Sequence, residues 1–177
     1  MKKKPIYLWI LLVLSALISA SSLFGILGPV PSKEVLRASL SNSGSLTAQQ
    51  IEDTVSYTYQ VTASSHSIFN VVLIVLSAIL VVVAFVFLVR KNVQFANYAY
   101  LGYLLLAIVG LVYSFVNIQD AIQLIKDDTL GLGIGTLAKG TVILFMIINV
   151  LFLALVLYKM WRQQKDLAEE AEAEEVA

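Results

Sequence analysis

The chain has 177 residues, of which 59% are hydrophobic and 14% are charged, and its mean hydropathy is +0.84. Soluble domains carry about 25% charged residues, so this composition excludes an ordinary soluble domain and predicts a membrane protein. Twelve basic residues balance twelve acidic ones, which argues against a nucleic-acid-binding protein, and the lack of cysteine excludes disulfides and thiolate metal sites.

The first long apolar stretch covers residues 6–27 and follows three lysines. About 20 apolar residues in a helix cross the hydrocarbon core of a bilayer, so this stretch predicts a first membrane span. A basic start before an apolar run is also typical of a signal peptide, with Ser19-Ala20-Ser21 as the cleavage site. A signal peptide has an apolar run of about 7–15 residues. The greater length here favours a retained span.

Residues 29–67 are predicted to form a segment outside the membrane, because Pro29 and Pro31 end the first span. Ser32 is typical of the N-cap of a short helix that runs to about Leu40.

Two interpretations compete for residues 51–62. Residues 47–50 match a capping box, and Ile51, Val55 and Tyr59 follow at four-residue spacing, which favours a helix. The alternation of apolar and polar residues from Val55 to Val61 favours a strand instead. We expect the helix, because an isolated strand would have no partner.

Three further apolar stretches are long enough to span a bilayer, at residues 68–89, 95–118 and 141–158. Neither these stretches nor residues 6–27 contain Asp, Glu, Lys, Arg or His. A helix satisfies its backbone hydrogen bonds internally, so each stretch is predicted to be a transmembrane helix. Helical spacing of apolar residues continues past residue 118 and predicts one or two further turns at the outer surface.

Residues 119–140 are predicted to form an outer loop, because four glycines interrupt their leucine-rich second half. Residues 133–138 also fit the relaxed dinucleotide-binding pattern GxGxxG/A. That pattern requires a preceding strand and an acidic residue about 20 positions later, and the sequence provides neither. We therefore expect a flexible apolar loop here and no phosphate-binding turn.

The distribution of basic residues predicts the orientation of the chain. Eight of the twelve fall on one side of the predicted spans: Lys2, Lys3, Lys4, Arg90, Lys91, Lys159, Arg162 and Lys165. Because basic segments stay in the cytoplasm, both termini are predicted to be cytoplasmic, including the acidic tail at residues 159–177. From the compact layout we expect a bacterial plasma-membrane protein.

These elements predict an all-α membrane protein. Its fold would be an antiparallel bundle of four transmembrane helices, with a mostly helical extracytoplasmic segment between helices 1 and 2.

Small residues in two of the predicted spans mark candidate sites of close helix packing. They are Ser15, Ser19, Ser21 and Gly25 in the first span and Gly110 and Ser114 in the third. Packing within this chain is the favoured interpretation, and docking of another subunit is the alternative.

Asn149 and Tyr103 are the candidate polar contacts within the spans. An asparagine in hydrocarbon needs a hydrogen-bond partner, so we expect an interhelical bond, with a substrate contact as the alternative. His66 has too few neighbouring ligands for a metal site to be expected, and no cofactor is predicted.

The predicted spans lack the acidic and basic side chains that perform acid–base catalysis or carry protons. We therefore expect a non-catalytic protein, an accessory or scaffold subunit of a larger membrane assembly. Its expected partners are the lipid bilayer and either another membrane protein or a second copy. The alternative is an oligomeric pore or small-molecule transporter without proton coupling.

Overall fold

The computed structural model describes residues 5–42 and 46–175, and its six regular elements in those ranges are all α-helices. Their bounds are Ile6–Leu27 (α1), Lys33–Ser41 (α2), Ala48–Ser65 (α3), Ile68–Val89 (α4), Val93–Ile122 (α5) and Asp128–Glu175 (α6). Helices α1, α4, α5 and α6 are long and apolar enough to cross a membrane. The predicted bounds of the first two long helices are confirmed.

The two short helices form where their caps predict them. The Ser32 hydroxyl accepts a hydrogen bond from the backbone N–H of Val35 at 3.4 Å and begins α2. At the start of α3, the Thr47 hydroxyl accepts from the Gln50 N–H at 3.3 Å, and the Gln50 side chain accepts from the Thr47 N–H at 3.1 Å. Residues 51–62 are therefore helical, and the strand alternative is wrong.

The expected glycine-rich loop is largely helical, so that expectation was wrong. Helix α6 begins at Asp128, after the Asp127 carboxylate caps it by accepting from the Leu130 N–H at 2.9 Å. Gly131 and Gly135 lie one turn apart, and a Cβ at Gly135 would lie 3.0 Å from the Cδ1 atom of Ile122. A helical glycine costs about 1 kcal/mol relative to alanine, but here it permits close packing of α6 on the end of α5.

Two further helix boundaries differ from those predicted from the sequence. Helix α5 starts two residues before the predicted span and extends four residues past it, which agrees with the expected extra turn. Helix α6 continues through the predicted tail to Glu175, and residues 176–177 lie outside the described part of the chain. Residues 133–138 lie within α6, so their backbone N–H groups are not arranged as a phosphate-binding loop.

The four long helices share one buried cluster. Helix α4 packs against α5, α1 packs against α4, and α6 packs against α5. The cluster consists of Leu8, Leu11, Leu12, Val81, Ala84, Leu88, Ala96, Tyr100, Tyr103, Leu104 and Val156. These residues come from the start of α1, the end of α4, the start of α5 and the middle of α6. The cluster therefore occupies one half of the length of the long helices.

Side-chain contacts define the two ends of the helix assembly. At the first end, the Tyr7 hydroxyl donates to the Asn97 side chain at 2.9 Å, and the Asn97 amide donates to Gln163 at 3.2 Å. The Lys159 ammonium lies 5.8 Å from the centroid of the Tyr7 ring. We call this the Tyr7 end. The opposite end, where His66 lies 2.9 Å from the Gly28 carbonyl oxygen, is the His66 end.

The turn between α4 and α5 also lies at the Tyr7 end. It closes through hydrogen bonds from the Lys91 N–H to the Leu88 carbonyl at 3.0 Å and from the Asn92 N–H to the Phe87 carbonyl at 2.9 Å. Lys91 has a φ of 60°, a left-handed conformation that glycine adopts more readily. A charged residue therefore occupies a position where glycine would be less strained.

Candidate functional site

A cavity of about 310 Å³ lies between α1, α4, α5 and α6, on the His66 side of the buried cluster. Pockets for small molecules span about 300–1,000 Å³, so this cavity has the size of a small binding site. Its polar lining comes from seven uncharged side chains: Ser19, Ser22, Asn70, Ser77, Tyr103, Ser114 and Asn149. The other described residues around it are apolar apart from Gly110, and none carries a charge.

Tyr103 and Ser19 bring hydroxyl groups into this cavity without an internal partner. Tyr103 is only 4% exposed and Ser19 only 8% exposed. Among the described residues, neither hydroxyl forms a hydrogen bond. Every described polar side-chain atom that is completely buried does have a hydrogen-bond partner, so these two hydroxyl oxygens are not completely buried. The two hydroxyl oxygens must therefore reach open space, and the open space beside both residues is the cavity. They are free to bind a guest.

Asn149 also lines the cavity, but its hydrogen bond differs from the one expected. Its side-chain amide donates to the backbone carbonyl of Phe145 at 2.8 Å, one turn back along α6. The expectation of an interhelical bond was therefore wrong, because α6 itself supplies the acceptor. The amide oxygen of Asn149 makes no hydrogen bond within the described part of the chain, so it adds an acceptor to the cavity wall.

The cavity is closed towards the Tyr7 end. The Ser15 and Tyr100 hydroxyls lie 3.0 Å apart and share a hydrogen bond that joins α1 to α5. The Tyr100 ring stacks on the Tyr103 ring, with 5.5 Å between centroids and 26° between planes. Leu12 and Leu104 are fully buried in the same layer. This layer separates the cavity from the Tyr7 end.

The cavity opens sideways between α1 and α6. Ile18 on α1 and Phe145 on α6 both line it, and they are 48% and 42% exposed. Helix α1 packs mainly on α4, whereas α6 packs mainly on α5, so these two outer helices separate beyond the buried cluster. A guest would therefore enter from the side of the helix assembly.

Comparison with known families matches residues 1–169 to the family described as Domain of unknown function (DUF8777). The chain belongs to this family. The matched range includes every residue that lines the cavity and both ends of the helix assembly. No curated protein and no solved structure matches the chain.

In this DUF8777 chain, the structure brings together five of the eight residues singled out from the sequence. Ser19, Tyr103, Gly110, Ser114 and Asn149 all line the cavity. The other three lie elsewhere. Ser15 is buried against Tyr100, whereas Ser21 and Gly25 are exposed on the outer face of α1. The small residues of α1 therefore divide between an internal face and an external one.

Ser22 and Ser77 are polar residues of the cavity wall that the sequence did not single out. Ser77 is the only polar residue between residues 71 and 89, which is a signal that sequence alone offers. Ser22 carries no such signal, because α1 contains several serines and only packing decides which of them face inwards. The Ser22 hydroxyl donates to the Ile18 carbonyl at 3.0 Å, within its own helix.

Asp53 forms a second polar site, which ties α3 to the turn between α5 and α6. Its Oδ2 atom accepts from the backbone N–H groups of Lys126 at 2.9 Å and Asp127 at 3.2 Å, and its Oδ1 atom accepts from the Gln49 amide at 2.8 Å. Burial opposes ionisation of Asp53, but these hydrogen bonds outweigh it and lower the pKa of its carboxyl group. Asp53 therefore holds α3 against the turn that precedes α6.

Further contacts complete the His66 end. The Gln50 amide donates to Asp127 at 2.9 Å, and Arg37 of α2 forms an ion pair with Glu52 of α3. The two ring nitrogens of His66 lie 2.9 Å from the carbonyl oxygens of Gly28 and Thr62. His66 therefore links the end of α1 to α3. Among the side chains that the structure describes, no three His, Asp or Glu residues form a group suited to a metal ion.

Proposed function

We propose that this protein is a non-catalytic integral membrane protein that serves as an accessory or scaffold subunit of a larger membrane assembly. Its four long helices would cross the plasma membrane as an antiparallel bundle, with both termini in the cytoplasm. Helices α2 and α3 would then lie on the extracytoplasmic side.

The outer surfaces of the four long helices support the membrane location. Large apolar side chains are exposed along all of them, including Leu17, Ile79, Val109 and Leu151. In water, leaving apolar surface exposed costs about 25 cal/mol per Å² relative to burying it. Hydrocarbon removes that cost, so this surface suits contact with lipid chains.

The charges at the two ends support the proposed orientation. Arg90, Lys91, Lys159 and Arg162 lie at the Tyr7 end, where the turn between α4 and α5 meets the middle of α6. The His66 end contains the acidic groups Glu52, Asp53, Asp127 and Asp128 beside four basic residues, Lys33, Arg37, Lys126 and Lys139. The sequence adds Lys2, Lys3 and Lys4 before α1 and Lys165 after Arg162, so eight of the twelve basic residues belong to the other side. Because basic residues are retained in the cytoplasm, the Tyr7 end would be cytoplasmic.

The observation that carries the accessory role is the exposed pair of small residues on α1. Ser21 and Gly25 lie one turn apart, and a Cβ atom built at Gly25 meets no other atom within 4 Å. A pair of small residues spaced by four lets a second helix approach closely. Ser15 and Ser19 already face inwards, so the outer pair is available to a partner helix.

The lining of the cavity supports a non-catalytic role. Its polar groups are hydroxyls and amides, and no described residue around it provides a carboxylate or imidazole. Acid–base catalysis needs a group that exchanges protons near neutral pH.

The test is crosslinking and mass spectrometry of the full-length protein in native membranes, with Gly25→Leu and Gly140→Leu compared. Both glycines are helical and exposed, and neither position has an atom within 4 Å of a built Cβ. We expect Gly25→Leu to remove crosslinks from α1 to a different polypeptide, whereas Gly140→Leu keeps them. The absence of any such polypeptide from wild-type membranes would refute the accessory role.

The second candidate is a pore or small-molecule transporter, which the position of Asn149 and Tyr103 in the cavity wall favours. The layer formed by Ser15 and Tyr100 blocks a route through one chain in this conformation. A transporter would have to open that layer or form its path between copies. Solute flux in liposomes that Asn149→Leu alters would support this alternative.

A further inference from the structure

We propose that the cavity between α1, α4, α5 and α6 binds one neutral, lipid-soluble molecule through a hydroxyl or carbonyl oxygen. This inference rests on the proposed membrane location, but it does not require the accessory role. It assigns a ligand site to a protein whose proposed function so far concerns only a partner subunit.

The two buried hydroxyls are the groups that point to a ligand. Tyr103 and Ser19 are more than nine-tenths buried, line the cavity and make no hydrogen bond through their hydroxyls among the described residues. A polar group left unpaired in an apolar interior costs about 1–3 kcal/mol. A guest that carries an oxygen atom would give hydroxyls on this wall a hydrogen-bond partner.

The guest must be uncharged. None of the described residues that line the cavity offers a compensating charge, and a charged group in hydrocarbon is costly without one. The hydroxyls of Ser19 and Tyr103 can donate or accept, and the free amide oxygen of Asn149 can accept. An alcohol or a carbonyl compound therefore matches the wall better than a carboxylate, phosphate or ammonium.

The rest of the guest must be apolar and small. Leu73, Ile74, Leu106 and Leu111 form much of the remaining wall, and the volume is about 310 Å³. This is the lower end of the range for small-molecule pockets, at about 300 Å³. The site therefore suits part of one aliphatic chain or one compact ring system beside the polar group.

The route of entry favours a molecule dissolved in the bilayer. Ile18 and Phe145 form the exposed rim between α1 and α6, and both are apolar. The Ser15–Tyr100 layer closes the side that faces the Tyr7 end. A lipid-soluble guest could pass the rim without crossing water, whereas a water-soluble one would have to cross lipid first.

The experiment uses the purified full-length protein in phosphatidylcholine nanodiscs with three photoreactive probes of equal chain length. One probe is a diazirine-bearing fatty alcohol, the second is the corresponding fatty acid, and the third is the corresponding alkane. After irradiation, mass spectrometry locates the labelled residues. We expect the alcohol to label residues at the cavity, and the acid and alkane to label chiefly the lipid-facing surface.

Two variants connect the labelling to the site. Gly110→Leu adds a side chain at the cavity wall, where a built Cβ meets no atom within 4 Å, and it should abolish cavity labelling. Gly140→Leu is the matched control and should leave labelling unchanged. Tyr103→Phe keeps the ring but removes the hydroxyl, and should weaken labelling by the alcohol about three- to tenfold.

The outcomes separate this proposal from the accessory role. Equal cavity labelling by all three probes, or labelling that Tyr103→Phe leaves unchanged, would overturn the recognition of a neutral oxygen. Cavity labelling that persists in Gly110→Leu would overturn the location of the site. Selective labelling by the alcohol would support the site even if no partner polypeptide crosslinks in native membranes.

Discussion

The hydrogen bond between Ser15 and Tyr100 allows the sharpest stability test of this fold. The two hydroxyl oxygens lie 3.0 Å apart, Tyr100 is fully buried, and Ser15 is nearly so. Ser15→Ala and Tyr100→Phe each remove one oxygen and keep the shape of the side chain. The pair therefore suits a double-mutant cycle.

The expected magnitude follows from the location of the bond between two apolar helices. Interhelical hydrogen bonds in membrane proteins contribute about 0.6 kcal/mol on average and at most about 1.7 kcal/mol. The Ser15–Tyr100 bond should lie in the upper part of this range, because neither hydroxyl has another partner among the described residues. Each single variant should lose about 1 kcal/mol, and the double variant should lose little more than either single one.

The assay is equilibrium unfolding in mixed micelles with a rising fraction of sodium dodecyl sulfate, followed by tryptophan fluorescence. Ser22→Ala is the matched control, because the Ser22 hydroxyl bonds only to the Ile18 carbonyl of its own helix. It should change the free energy of unfolding by less than about 0.5 kcal/mol. Strictly additive losses in the double variant would refute the shared bond and the inward orientation of Ser15.

Three further predictions concern other parts of the chain. Since hydrogen bonds lower the folded pKa of Asp53, its stabilisation is present above the unfolded pKa of about 3.9 and is lost as the pH falls through the folded value. Hydrogen exchange at the Lys126 amide should therefore accelerate below about pH 4, and a rate independent of pH after correction for intrinsic exchange would contradict this. Lys91→Gly should stabilise the protein by about 0.5–1 kcal/mol. Glycine removes the steric strain of the left-handed backbone at position 91, and this gain exceeds the loss from the greater conformational entropy that glycine gives the unfolded chain. The same micelle titration measures the gain, and a loss would contradict the strain. Because the chain has no cysteine, Ser39→Cys should react with an impermeant maleimide in intact cells and Gln164→Cys should not; the reverse pattern would invert the proposed orientation.

The bounds of several helices could be predicted because their determinants are local. The apolar run of residues 6–27 ends at a segment with two prolines, and that of residues 68–89 ends before two basic residues. Ser32 and Thr47 cap the helices that their sequence patterns predict. In each case, the residues that begin or end the helix lie within a few positions of it.

The start of α6 could not be predicted in this way. Gly131 and Gly135 disfavour a helix when they are considered alone. Their small size instead lets α6 pack closely on Ile122 at the end of α5 and on Ile125 in the turn that follows. That contact compensates for the low helix propensity, and it exists only when both helices are in place. The Asp127 cap is a local signal for the start of α6 that the sequence does contain.

The candidate site shows the same division between local and tertiary determinants. Sequence spacing identified Ser15, Ser19, Ser21 and Gly25 as small residues of one helix, but it did not distinguish an inner face from an outer one. Packing of α1 on α4 directs the first two inwards and leaves the other two exposed. Composition and charge alone predict four apolar helices and an uncharged interior, because those properties depend only on which residues are present. The cavity depends on how far α1 and α6 separate, and only the packing of all four long helices sets that distance.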